Sequence, residues 1–282
     1  MRGIRFILFA VAALVCACEP DWEYRAPSTP LVVDGWIDAG GHPMVLVSKS
    51  VSPTGSVQDD DEVSSKVVRY AFVYVSDGHT RVQLEGRRDD KYFPPYVYTT
   101  DAITGEAGKR YRLEVSCPGI NAWAETTVPA PVSLDSLAVH VSERADSLYT
   151  VTAYFRDNPA TKDYYKCFTM VEGVNTYWAS SLLGAVDDET VQGQYLSVPV
   201  VRGWSILEKY RQPLFREGET VHVKFCTVDS ESYKFWASYD DVSGFARNPF
   251  FPVTENVTTN MHGALGFWGG YGSREYTVDI HL

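Results

Sequence analysis

Arg110-Tyr111-Arg112-Leu113-Glu114-Val115-Ser116-Cys117 is the stretch that decides the fold class of this chain. Tyr, Leu, Val and Cys fall on every second position, with Arg, Glu and Ser between them. An extended backbone sends the first set to one face and the second set to the other. Pro118-Gly119 follows at once, a pair suited to a tight turn. The stretch therefore predicts a half-buried strand that ends in a turn.

Working outward, 31–37, 44–47, 67–75, 79–84, 92–99 and 122–128 are rich in β-branched and aromatic residues and read as further strands. Asp77-Gly78 supplies a hairpin turn between two of them. Pro94-Pro95 makes the 92–99 strand an edge or breaks it, since proline has no N–H to give to a ladder. Seven short strands within about a hundred residues predict an immunoglobulin-like or transthyretin-like sandwich over 30–128.

Val128-Pro129-Ala130-Pro131-Val132 then reads as a linker. Beyond it, 137–141, 148–155, 164–171, 195–201, 221–228 and 276–282 again have strand character. They predict a second sandwich or barrel-like domain over 133–282 in an all-β chain. One helix is expected in it, near 230–245. Asp229 or Ser230 can cap its start, and Tyr233, Trp236, Ala237 and Asp240-Asp241 follow helical spacing. The aromatic stripe is expected to pack as core.

The amino terminus carries a different signal. Arg2 and Arg5 precede an apolar run from Ile7 to Val15, and Ala17 stands before Cys18. A basic start, a short apolar core and a small residue before the cut make a secretory signal peptide over 1–17. The run is too short to span a bilayer. With cysteine first after the cut, the pattern resembles a bacterial lipobox, in which Cys18 receives a diacylglycerol. Residues 18–29, beginning Cys18-Glu19-Pro20-Asp21, are then expected to form an acylated tether to a membrane.

Composition narrows the partners. The chain has 282 residues and a formal charge of −11. Loss of Arg2 and Arg5 with the signal moves that charge to −13. Such an acidic surface argues against nucleic acid, whose backbone is gripped by Lys and Arg. Cys117, Cys167 and Cys226 remain after processing; Cys167 and Cys226 share a predicted domain and are the pair that could bridge. No C-x-x-C, G-x-S-x-G, H-E-x-x-H or P-loop occurs, and the six histidines share no ligand spacing. No catalytic residue, metal or cofactor is expected. Asp59-Asp60-Asp61-Glu62 and Asp187-Asp188-Glu189 read as solvated acidic loops. In Gly263-Ala264-Leu265-Gly266-Phe267-Trp268-Gly269-Gly270-Tyr271-Gly272 the dense glycines admit two readings. One is a recognition loop presenting Phe267, Trp268 and Tyr271; the favoured one is a bulged strand at a sandwich edge.

Several of these features belong together. The lipobox, Leu31-Val32-Val33-Asp34-Gly35-Trp36-Ile37, the stretch from Gly105 to Val115 and the Val128-Pro129 linker are four of them. The ending adds Asn248-Pro249-Phe250, Asn256-Val257, Asn260-Met261-His262-Gly263 and Gly266-Phe267-Trp268-Gly269. Together they resemble the DUF4249 family of Bacteroidota outer-membrane lipoproteins. Met261-His262 departs from the isoleucine and small residue expected there. The resemblance implies an outer-membrane protein encoded beside TonB-dependent transporters, and it supplies no catalytic residues. It leads to the expectation of a non-catalytic, surface-facing accessory or binding partner of such a barrel. A structural or adhesive subunit, and a hydrolase using carboxylates such as Asp240 and Asp241, are the alternatives.

Overall fold

The computed structural model describes residues 30–50, 64–143, 145–187, 193–203, 212–245 and 257–281. The signal segment, Cys18, the tether and the Asp59–Glu62 run lie outside the described residues, as do Asp188 and Glu189.

The opening stretch forms strand β6 (Arg110–Cys117), which pairs with β7 (Ile120–Thr127) from Arg110↔Thr127 to Cys117↔Ile120. Tyr111, Leu113 and Val115 are buried, as the alternation requires. Strands β3 (Phe72–Ser76) and β4 (Arg81–Arg87) lie beside this hairpin. Asp77 Oδ1 accepts from the backbone N–H groups of His79 and Thr80 at 3.1 and 2.8 Å, which closes their connection. Strand β5 is shorter than the sequence suggests, only Val97–Thr99. Residues 92–96, with their two prolines, leave the sheet.

Strands β1 (Leu31–Asp38), β2 (Met44–Lys49), β10 (Tyr164–Val171), β11 (Ala179–Asp187), β14 (Thr220–Val228) and β15 (Leu265–Asp279) complete an eleven-stranded sheet. Its order is β11-β10-β14-β15-β1-β2-β5-β4-β3-β6-β7. The sheet rolls at its β7 end until Trp123 exchanges backbone hydrogen bonds with His262, at 3.0 and 2.8 Å, just before β15. A second sheet, β8 (Ser136–Ser142), β9 (Ala145–Arg156), β12 (Tyr195–Val200) and β13 (Phe215–Arg216), covers the other end. The molecule is an all-β sandwich carrying one well-formed helix, α1 (Ser230–Phe245).

Strand β15 holds the two halves together. Its first part runs parallel to β1, from Val32↔Leu265 to Asp38↔Tyr271, and its second part antiparallel to β14, from Val228↔Tyr271 to Thr220↔Asp279. The glycine-dense segment is therefore neither a recognition loop nor an edge. It is the centre of the sheet, and Phe267, Trp268 and Tyr271 are all buried. Gly266 sits at φ +99°, where any side chain would also collide with the Val33 backbone. Gly270 lets the exit of β7 cross β15 at backbone distance: its N–H donates to Thr126 Oγ1 at 2.8 Å.

Two cores result. The first joins Leu31, Val33, Val75, Leu113 and Val115 to Met261 and Trp268 from the far end of the chain. So the first sandwich needs residues that the sequence places in the second. The other core packs Phe155, Tyr165, Cys167, Phe215 and Phe225 between the two sheets. Phe155 lies 4.6 and 4.7 Å from the Tyr165 and Phe225 rings.

Register also rules on the cysteines. Cys167 stands opposite Phe225, and Cys226 opposite Lys166. Neighbouring positions on a strand point to opposite faces, so one thiol faces the second core and the other faces outward beneath α1. Both are free. The Cys167–Cys226 bridge does not form, because the Cβ vectors diverge across the sheet.

Candidate functional site: an aromatic cleft on the outer sheet face

The outer face begins with residues that alternate against the cores. Along β1 these are Asp34, Trp36 and Asp38, while Val33, Gly35 and Ile37 face inward. Along β10 and β14 they are Lys166, Phe168, Lys224 and Cys226. Two buried lysines inside otherwise apolar strands need partners, since an unpaired buried ammonium is costly. Lys224 Nζ lies 2.7 Å from Asp38 Oδ2, across β14 and β1. Burial works against the charge of Lys224, but Asp38 more than offsets it and raises the lysine pKa.

Lys166 meets the helix instead. Its Nζ donates to Asp240 at 2.9 Å and to the Ser181 carbonyl at 2.8 Å. Burial lowers the Lys166 pKa and raises that of Asp240, although the pairing opposes both shifts. The helix start is fixed by Asp229. Its Oδ1 accepts the Ser232 N–H at 2.8 Å as an N-cap, and its Oδ2 accepts from Thr126 Oγ1 at 3.0 Å. The helix thus lies flat on the outer face, clipped to β7 at one end and to β10 in its last turns.

Its aromatic stripe does more than fill a core. Phe235 stacks on Phe267 with centroids 4.4 Å apart, and Trp236 meets the Phe168 ring at 5.1 Å. Trp236 Nε1 also donates to the Tyr271 hydroxyl at 3.0 Å. Trp236 then faces an open cleft of about 120 Å³. Trp36 and Tyr92, 5.8 Å apart, make the opposite wall. Phe93, Phe168, Tyr177, Trp178, Tyr271 and Leu46 complete the apolar lining, and the charged groups are Asp34 and Lys224. The two rim segments are joined where Thr176 Oγ1 donates to the Lys91 carbonyl at 3.1 Å.

Asp34 is exposed to the cleft yet ringed by protein. That surrounding mass pushes its carboxyl from 3.8 up to about 6. Among the described residues none forms an ion pair or hydrogen bond with it. Concave, aromatic walls with a few convergent polar groups are the usual composition of a small-molecule site.

Of the three residues of the recognition-loop reading, Tyr271 alone lines the cleft, and Trp236 of the helix stripe, expected to pack as core, lines it too. Trp268 is fully buried, and its Nε1 donates to the Tyr111 carbonyl at 3.1 Å. Asp240 is tied to Lys166 while Asp241 is exposed, so these carboxylates do not converge across a common space. Asp34, Trp36, Lys224 and Trp178 carried no expectation. A charge and a tryptophan on the same alternate face of β1 were their only trace.

Among the described residues no group of three His, Cys, Asp or Glu side chains could hold a metal, and no helix is long and apolar enough to cross a membrane. No curated protein matches the chain. The model of DUF4249, a domain of unknown function, matches residues 18–277. The chain therefore belongs to the DUF4249 family.

Proposed function

We propose that this protein is a lipid-anchored, non-catalytic binding protein of the outer membrane that works beside a TonB-dependent transporter. The observation that carries the reading is the aromatic cleft at the junction of the two halves. A preformed apolar cavity with an unpaired carboxylate suits capture of a small ligand. The lipobox supports the anchor: acyl chains on Cys18 would hold the sandwich at the bilayer, each buried methylene contributing about 0.8 kcal/mol. The family match, which starts at Cys18, accords with a mature chain beginning there.

Affinity purification of the native protein from membranes in mild detergent tests the partnership. Co-recovery of a TonB-dependent barrel is the expected result, and recovery of the lipoprotein alone would overturn it. Intact-mass measurement of the same sample tests the anchor, which predicts acyl chains on Cys18 and no residues 1–17.

A further inference from the structure

We propose that the cleft takes an organic cation, with an ammonium group seated over Asp34 and enclosed by Trp36, Tyr92, Trp236 and Tyr271. The proposal rests on reading the cleft as a ligand site and adds the class of ligand.

Charge makes the case first. Five ionisable groups lie on this part of the outer face, and four of them are paired within the chain. Lys224 is neutralised by Asp38 at 2.7 Å, and Lys166, next along the face, by Asp240 at 2.9 Å. Asp34 is left over, one negative charge in a cleft whose other charged lining group, Lys224, is already paired with Asp38 and whose remaining walls are apolar. Its carboxyl opens to the cleft, and the protein around it raises its pKa to about 6, so the charged form is disfavoured where it stands. A cation beside it relieves that cost, whereas an anion would increase it.

The walls make the same choice. Indole and phenol faces carry negative quadrupole charge and attract cations that have shed water, most strongly for tryptophan. The molecule already uses this contact on the same face: Lys166 Nζ lies 5.2 Å from the Trp236 ring, and Lys224 Nζ lies 5.8 Å from the Tyr271 ring. An ammonium ligand would continue the pattern into the open volume. Neutral rings could also stack on these walls, but they leave Asp34 uncompensated.

The test uses the full chain in a nonionic detergent, with choline as the probe. Its comparison is the neutral isostere in which carbon replaces the ammonium nitrogen. Trp36, Trp178 and Trp236 line the cleft, so binding is read by tryptophan fluorescence and confirmed by calorimetry. Choline should bind at least about tenfold more tightly than the isostere. Asp34→Asn should remove most of that preference, and Trp36→Ala should weaken choline. Asp135→Asn, on the remote β8 side, should change nothing. Near-UV circular dichroism checks that each variant is folded.

Equal binding of choline and its isostere, or an unchanged preference in Asp34→Asn, overturns the proposal. If neutral sugars quench the same tryptophans while choline does not, the cation is wrong and the ligand site stands. If no probe binds and no transporter is recovered from membranes, the functional reading falls as well.

Discussion

The two faces of the long sheet are made by the same strands and have opposite chemistry. On the inner face, Val33, Ile37, Trp268, Cys167 and Phe225 are sealed into two dry cores. On the outer face, Asp34, Trp36, Lys224 and Phe168 alternate with those residues and leave an open cleft beside α1. The inner face is held by area removed from water. The outer face is held by a small number of directed contacts: the Asp229 cap, the Lys166–Asp240 pair and the Trp236–Tyr271 hydrogen bond. If the cleft is the ligand site proposed above, stability and recognition are separated by the pleat of the strand, one residue apart along the chain.

The contrast predicts a gradient of mutational effects. Trp268→Ala empties the centre of the first core and strands the Tyr111 carbonyl; a loss of about 4 kcal/mol is expected in urea unfolding. A loss under about 1 kcal/mol would show that the inner face is not the structural one.

Lys166→Ala attacks the strongest contact of the outer face. It leaves Asp240 buried without its partner, and about 3 kcal/mol should be lost. The double variant Lys166→Met, Asp240→Leu should recover most of it, because no charge is then left buried. Failure of that rescue would mean that the pair does something beyond clipping the helix down.

Asp229→Ala removes the helix cap and the tie to Thr126. About 1 kcal/mol should go, measured by the same unfolding transition.

Asp34→Asn is expected to have the smallest effect, and the opposite sign. The folded carboxyl holds its proton up to about pH 6, while the unfolded one releases it near 3.8. Stability contributed by this group is therefore greatest at low pH, falls as pH rises between those values, and stays lowered above them. The asparagine variant should melt slightly higher than the native chain at about pH 7.5 and at the same temperature at about pH 3.5. A variant that melts lower at neutral pH would break the distinction between a stabilising face and a recognising one.

Local order was well written in the sequence. The β6 alternation, its turn, and α1 with its Asp229 cap needed only neighbours within one element, and those signals are short-range. Strand β5 fell short because Pro94-Pro95 releases 92–96 to become cleft wall. What depends on distant partners was not written locally. The parallel pairing of β1 with β15 joins residues at opposite ends of the chain, and nothing in Gly266 to Gly272 names its neighbour. The two cysteines sit on adjacent strands as a bridge would require, yet register decides the face each one takes. The cleft was the least legible part, since its lining comes from β1, β2, β10, β14, β15, the helix and two connecting segments.

Trp268 has a consequence in time as well as in space. A ribosome delivers 30–128 long before it delivers the strand that fills their interior, so that portion must wait, incomplete, until Trp268 has been made. Contacts spanning so much of a chain slow folding. A nascent chain released before Trp268 is added would lack the plug of its oldest half, and would present quality control with an open, apolar bowl rather than a trimmed but finished module.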